Sequence, residues 1–224
     1  MATGTVLSLH RYPVKSMGGE AVEALEVDEH GARHDRKHAV WLRGGRKLTA
    51  RVAPKMLAWH ASPNGAGGPH VVAPDGREFT WGKELEAAIG EHLGKDVALV
   101  QDPQGLADVS GLHVTFEASR QALEEELGMP VDLRRFRPNI HVALDAEPFA
   151  ESEWEGRTLR VGDAELHVAS AADRCAITIH DPDTLEKAPD VLRTINERHG
   201  TFFGLWVDAR GPARVAVGDR VELL

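Results

Sequence analysis

The 224 residues contain a single cysteine, Cys175. One thiol closes no internal disulfide and supplies no cysteine-rich metal cage. Three roles remain: a buried small hydrophobe, a nucleophile, or one thiolate ligand to a metal that another group also holds. No apolar stretch approaches the roughly 20 residues that span a bilayer. No charged n-region precedes an apolar core at the N-terminus. A cytoplasmic protein with no membrane contact is therefore the expectation. The net charge of −9 opposes non-specific nucleic-acid binding, which needs a basic stripe, so no nucleic-acid partner is expected. There is no Gly-x-Ser-x-Gly, no Walker loop and no Gly-x-Gly-x-x-Gly. The twelve histidines are scattered, with no pair in zinc register.

Against the global acidity stand two basic clusters, Arg33-His34-Asp35-Arg36-Lys37-His38 and Arg134-Arg135-Phe136-Arg137. Each is either a solvated charged face or an anion site. Both adjoin expected strands and contain Arg, the side chain best suited to bidentate phosphate contact. Arg174 adjoins Cys175, and a neighbouring guanidinium favours a thiolate.

Short strands at near-regular spacing, separated by turn residues, predict a mainly β fold with a few helices, an α+β barrel or sandwich and not a doubly wound sheet. Strands are expected at 5–11, 21–27, 38–42, 57–61, 70–73, 77–80 and 97–100. A helix over 83–93 stops at Gly94. The segment 101–111, with its Pro and Gly, is the expected boundary between halves, giving domains of 1–100 and 101–224. Further strands are expected at 112–116, 140–144, 158–161, 165–169, 175–179 and 203–209. A helix capped by Ser119 runs to Leu127, another spans 188–199, and residues 214–224 read as a hairpin-like barrel edge.

No single motif is decisive, and specificity lies in their order. Arg11-Tyr12-Pro13-Val14-Lys15-Ser16 comes first, then Gly31 with Asp35-Arg36, then Leu48-Thr49-Ala50-Arg51 and Pro54. Phe136-Arg137-Pro138-Asn139-Ile140, Glu151 with Trp154, Val161-Gly162, Arg174-Cys175, Asp181-Pro182-Asp183-Thr184 and Val217-Gly218-Asp219 follow. This succession resembles the MOSC-domain family with its N-terminal β-barrel partner domain, and within it the amidoxime-reducing components and their bacterial relatives. The resemblance runs from about Val6 to Leu224. It implies a MOSC-type β-barrel packed on a smaller N-terminal β-domain.

It also implies a molybdenum cofactor, a pterin dithiolene bearing a phosphate, whose metal takes one protein thiolate. Cys175 occupies the position of that cysteine, as catalytic metal ligand. Lys15, Ser16 and Arg36 match residues that hold pterin and phosphate. Arg137 and Asn139 match further pterin contacts, and Asp108 and Ser110 fall where the family places polar contacts. The family's usual small residue two positions before the cysteine is acidic here, Asp173, which adds negative charge beside the metal. Leu185 stands where a Gly commonly follows Asp-Pro-Asp-Thr. A family-level association with pyridoxal phosphate comes with the same resemblance, and no residue of this chain is assigned to it.

Each residue also has a plain alternative. Lys15 can be a turn lysine, Arg36 a surface partner of Asp35 or Asp28, and Arg137-Pro138-Asn139 loop punctuation. Trp154, Phe149 and Trp206 suit packing better than substrate stacking. A cysteine-histidine pair of Cys175 with His180 is disfavoured if both lie on one strand.

The function implied is reduction of small N-hydroxylated or N-oxide substrates. A single cysteine holds no iron-sulfur centre, so electrons must come from a separate flavoprotein or iron-sulfur protein. A sulfur or cofactor carrier using a Cys175 persulfide, and a barrel retained as a binding module, are the competing readings.

Overall fold

The computed structural model describes residues 2–107, 109 and 111–224. The first half comprises β1 (Thr3–Arg11), β2 (Glu20–Val22), β3 (Ala24–Asp28), β4 (Gly31–Ala32), β5 (His38–Leu42) and β6 (Arg46–Lys47). It continues with β7 (His60–Ser62), β8 (His70–Val72), β9 (Glu78–Thr80), α1 (Lys83–Leu93) and β10 (Val97–Gln101). The second half comprises β11 (Leu112–Phe116), α2 (Glu117–Leu127), β12 (Ile140–Leu144), β13 (Thr158–Val161) and β14 (Ala164–Asp173). It ends with α3 (Pro189–Arg198), β15 (Phe202–Ala209), β16 (Ala213–Ala216) and β17 (Arg220–Leu223).

The large sheet runs β12-β11-β15-β14-β13-β17-β1, and β1 pairs with β12 to close it into a seven-stranded barrel, with β2 appended to β1. Closure leaves no free edge along the seven. Its pairings are antiparallel except β11 with β12, which run parallel and are joined through α2. Inward positions alternate as a two-residue period requires: Leu159 and Val161 of β13 are buried while Arg160 is exposed. Along β11 every residue from Leu112 to Phe116 is buried, because α2 covers the face that would otherwise meet water. The fold is thus mainly β with three helices, as the spacing of short strands predicts.

Three small sheets complete the molecule: β10-β5-β6, β16-β3-β4 and β7-β8-β9. A second core gathers Val40, Trp59 and Val71 under Leu85, Ala88 and Ile89 of α1. That helix ends at Gly94, whose φ of 62° is the left-handed conformation glycine adopts without steric cost. A third core, with Leu123, Phe136, Val191 and Phe203, joins α2 and α3 to the barrel wall.

Several expected elements differ. The strand expected at 21–27 breaks at Glu23 into β2 and β3, which join different sheets. Residues 54–58 form a 3-10 turn opened by Pro54, and extended structure starts only at His60. Ser119 caps nothing: α2 starts at Glu117 directly after β11. The buried Ser119 hydroxyl instead donates to Glu151 Oε2 at 2.8 Å and accepts the Phe149 N–H at 2.8 Å. Residues 176–179 form a 3-10 turn, with only Cys175 extended at its start. The final hairpin does not form, since β16 pairs with β3 while β17 pairs with β13 and β1. The Val217–Asp219 turn zips onto β1 instead, Gly218 N–H donating to Val6 O and Val6 N–H to Asp219 O, both at 2.9 Å.

Gly204 lies inside β15 at φ 81°, and a Cβ there would stand 2.3 Å from the Val114 carbonyl oxygen of the paired β11. Gly204→Ala is expected to cost about 2 kcal/mol or more through combined strain and overlap. Urea unfolding checks this, and a midpoint equal to wild type would contradict the strand packing described.

Candidate functional site

A cavity of about 320 Å³ opens where the end of β1, the β4–β5 turn, the α2–β12 loop and the end of β14 meet. Lys15 and Ser16 enter from the first of these, Arg36 from the second, Arg135 to Arg137 from the third, and Asp173 to Cys175 from the fourth. Thr49, Arg51, Ile177, Thr178 and Trp206 of β15 complete much of the wall. Six cationic side chains and one carboxylate therefore line a cavity in a chain of net charge −9.

The backbone carries strain there. Ser16, Arg36 and Arg137 have φ of 70°, 47° and 56°, a region that side chains other than glycine enter at a cost of order 1–3 kcal/mol each. Backbone hydrogen bonds hold two of these corners: Arg36 N–H to Tyr12 O at 2.7 Å and Arg137 N–H to Arg134 O at 3.1 Å. The Lys15 N–H donates to His38 O at 2.8 Å, docking the β1 end on β5.

Arg36 is fixed from three sides. Its Nη1 pairs with the buried Asp35 carboxylate and reaches Asn139 Oδ1 at 3.2 Å, while Nη2 donates to Arg137 O at 2.9 Å. Asp35 also accepts the Tyr12 N–H at 2.7 Å. So Arg36 pairs with Asp35 and faces the cavity at once. Arg137 Nη1 donates to Met17 O at 2.5 Å, and its buried Nη2 has no partner among the described residues. Burial, with the Arg36 charge beside it, pulls Arg137 down to about 10. Lys15 is buried and donates to Leu106 O at 3.0 Å.

Asn139 does not line the cavity. It is fully buried, accepting from Arg36 and from the His113 N–H at 3.1 Å and donating to His10 O at 3.3 Å. It ties β1, β11 and Arg36 together from behind the wall. Asp173 is on the wall and exposed. Asp108 and Ser110 lie outside the described residues.

Cys175 is half-buried on the wall. Its carbonyl accepts both the backbone N–H and the hydroxyl of Thr178, at 3.0 and 2.9 Å, which shapes the turn after it. Arg174 donates to the carbonyls of Asp173 and Phe136 at 2.8 and 3.3 Å, and its guanidinium lies 5.5 Å over the Trp206 ring. Burial pulls Arg174 down to about 10. Arg135 donates to Ile179 O at 3.1 Å and pairs with Asp181 at 3.0 Å, clamping the loop that follows the thiol. His180 donates to Leu185 O at 3.3 Å, which spends that ring nitrogen within its own loop. Among the described residues no three His, Cys, Asp or Glu side chains gather as a metal site.

Of the residues singled out from the sequence, Lys15, Ser16, Arg36, Arg137, Asp173 and Cys175 meet at this one cavity. Arg51 and Thr49 belong to the segment Leu48-Thr49-Ala50-Arg51, and Arg135 to the second basic cluster, and the sequence marks out none of the three individually. Trp206 joins the wall, whereas Trp154 packs edge-on to Phe116 in the barrel and Phe149 stacks on His199. Of the first basic cluster only Arg36 lines the cavity, and Arg134 is held outside by Asp132 and Asp183.

Leu185 has φ 62° and keeps the glycine-type turn, its N–H donating to Asp181 O at 3.1 Å. Leu185→Gly is therefore expected to raise the urea midpoint slightly, while Leu185→Val should lower stability by about 1 kcal/mol or more. Equal midpoints for the two variants would show that the turn is not held left-handed.

The MOSC N-terminal beta barrel domain model matches residues 3–102, and the MOSC domain model matches residues 102–222. Mitochondrial amidoxime-reducing component 1 of Homo sapiens is 26% identical over 284 residues, spanning 99% of this chain and 83% of that protein. Mitochondrial amidoxime reducing component 2 of Bos taurus is 26% identical over 97% of this chain and 82% of its own length. Molybdenum cofactor sulfurase of Caenorhabditis briggsae is 25% identical over 91% of this chain, which covers 33% of that longer protein. Among solved structures, the YUAD protein from Bacillus subtilis superposes with a TM-score of 0.52 at 15% identity, covering 100% of this chain and 97% of that one, a likeness of fold. With two family models meeting at residue 102 and together spanning residues 3–222, this chain belongs to the MOSC domain family.

Proposed function

We propose that this chain binds the molybdenum cofactor, with Cys175 as a thiolate ligand to the metal, and reduces small N-hydroxylated or N-oxide compounds. The observation that carries this reading is the position of its one thiol, on the wall of a cavity lined by six Lys and Arg side chains. The residues fit the group. A phosphate monoester answers the unpartnered Nη2 of Arg137 and the neighbouring Arg36 guanidinium. A soft thiolate suits molybdenum, and the absence of a three-ligand cluster among the described residues suits a metal carried in by an organic ligand. The names of the human and bovine relatives supply the substrate class.

When bound, the cofactor would supply oxygen-atom acceptance from the substrate, and two electrons delivered one at a time by the external donor would reduce it again. The polypeptide does the rest. Lys15, Ser16, Arg36 and Arg137 bind the anionic end, and Asn139 orients Arg36 from behind. Asp108 and Ser110 stay in the set by resemblance alone. Arg135 fixes the loop after Cys175, and Arg174 braces the thiol's backbone against Phe136 and Trp206. Ile177, Phe136 and Trp206 give the substrate's hydrocarbon part an apolar surface. Converting N–OH to N–H takes up two electrons and two protons and releases water. Asp173, exposed at the rim, is the carboxylate on the wall in contact with solvent protons.

In this reading residues 1–100 and 101–224 are the two domains, the location is cytoplasmic, and electrons come from a separate flavoprotein or iron-sulfur protein. No helix among the described residues is long and apolar enough to cross a membrane. The second reading, a carrier that holds sulfur as a Cys175 persulfide, draws on the likeness to molybdenum cofactor sulfurase. Metal analysis separates the two: a carrier works without molybdenum and releases thiocyanate when treated with cyanide.

Protein from cells that make the cofactor is expected to hold near-stoichiometric molybdenum, and Cys175→Ala to abolish reduction of an N-hydroxylated substrate. Lys15→Ala and Arg137→Ala should each lower molybdenum content with the fold intact, since each removes a charged hydrogen bond worth about 1.5–3 kcal/mol. Full activity in Cys175→Ala, or wild-type metal content in both cation variants, would sink the assignment.

The isolated chain is expected not to oxidise NAD(P)H, because it has no Gly-x-Gly-x-x-Gly fingerprint and one cysteine. Turnover should appear with an artificial one-electron donor. Rapid NAD(P)H-coupled reduction by the pure polypeptide would reveal a second redox site.

A further inference from the structure

Tyr12 is almost fully buried at the end of β1, and two guanidiniums lie over its ring. Arg137 Cζ is 4.2 Å and Arg36 Cζ 5.0 Å from the ring centroid. The same two residues are joined by the bond from Arg36 Nη2 to the Arg137 carbonyl, and both have left-handed backbone. Two cations held this close repel, and burial removes the water that would screen them. Something must hold them together without cancelling the charge that an anion is to meet. Among the described residues Asp35 forms its ion pair with Arg36, and its charge reaches Arg137 only at longer range. An aromatic face attracts both, through its quadrupole, and leaves both charged.

The hydroxyl of Tyr12 plays no visible part, since Oη is buried with no partner among the described residues. A buried orphan hydroxyl is a net cost, so the ring is what the site uses.

We propose that Tyr12 is the positioning residue of a preformed phosphate-monoester receptor, holding Arg36 and Arg137 side by side in place before any ligand arrives. This rests on the reading that the cavity takes the phosphate of the molybdenum cofactor.

Tyr12 is the sole tyrosine of the chain, so fluorinated tyrosine supplied during expression replaces this ring and no other. Fluorine withdraws π density from the ring at nearly constant volume. Burial pushes the hydroxyl up to about 12, which keeps the mono- and difluoro rings neutral near pH 7. Inorganic phosphate titrated into the cofactor-free full chain is the probe, read by calorimetry and by the single 19F resonance.

Phosphate affinity is expected to fall stepwise from tyrosine to mono- to difluorotyrosine, with unchanged urea midpoints. Tyr12→Phe should bind within about threefold of wild type and Tyr12→Leu about tenfold or more weakly, the loss a desolvated cation–π contact predicts. Should Tyr12→Leu fail to fold, the fluorinated series, which keeps the shape, decides the matter. Equal affinity across that series, or no phosphate binding by the wild-type chain, would overturn the proposal. Molybdenum content is measured in parallel. Metal bound with phosphate affinity indifferent to the ring rejects the receptor and keeps the cofactor reading, whereas ring-dependent phosphate binding without recoverable molybdenum does the reverse.

Discussion

Strand β1 hydrogen-bonds to β17 over Thr3–Thr5 and to β12 over Gly4–Leu9, and the cationic cavity depends on that double pairing. A barrel otherwise built from residues beyond 111 is closed by the first strand of the chain. Closure sets the end of β1, with Tyr12, Lys15 and Ser16, against the loop that enters β12, with Arg137 and Asn139. The His10 N–H donates to Asn139 O at 2.9 Å and the Asn139 side chain returns the bond to His10 O at 3.3 Å. Residues more than 120 positions apart are thereby fixed at hydrogen-bond distance by main chain, which is far stiffer than side-chain contact alone.

Stiffness matters because the cavity works against ordinary electrostatics. Grouping six cations on one wall of an acidic protein is unfavourable, and taking Arg137 and Arg174 out of water makes it more so. The left-handed backbones of Ser16, Arg36 and Arg137 add strain at the same place. Asp35 and Asp181 offset part of the charge from behind the wall. Arg137 has no carboxylate hydrogen-bonded to it among the described residues, and its Nη2 is without a partner there, which is the condition under which an anionic ligand gains most from binding. The stability of the barrel and of the α1 core supports a site that would not hold itself together.

Much of this was legible in the sequence. Residues 38–42, 112–116, 140–144 and 158–161 read as strands from alternation and turn chemistry, and 83–93 as a helix from its spacing and Gly94. Lys15, Ser16, Arg137, Asp173 and Cys175 were legible through the order of their motifs, which lie at the end of β1, the start of β12 and the end of β14, while Arg36 comes from a turn between two of the small sheets. What could not be read was tertiary. Ser119 looks like a cap only until Glu151, 32 residues on, takes its hydroxyl. Residues 213–216 and 220–223 look like a hairpin until β3 and β1 compete for their edges. The run after Cys175 has strand propensity, yet Thr178 turns it by bonding back to the Cys175 carbonyl. Nothing local distinguishes Arg135 and Arg51, which line the cavity, from Arg134, which does not.

The two ends of the cavity differ in a way that bears on what can vary. At the end formed by Lys15, Arg36 and Arg137, side chains are buried or nearly so and tied to main-chain carbonyls. A substitution there disturbs the barrel closure as well as the cavity wall. Around Cys175 the neighbours Asp173 and Arg51 are exposed, and the loop shape comes from main-chain bonds and from Arg135. Leu185 illustrates the consequence: a bulky residue at a glycine-like φ is carried because the Asp181 carbonyl accepts its N–H and Arg135 holds Asp181. Asp173 changes the charge beside the thiol without changing the fold of the strand that bears it, which continues to pair with Phe202. The end at Lys15, Arg36 and Arg137 is therefore constrained by folding itself, while the end at Cys175 can vary one exposed side chain at a time.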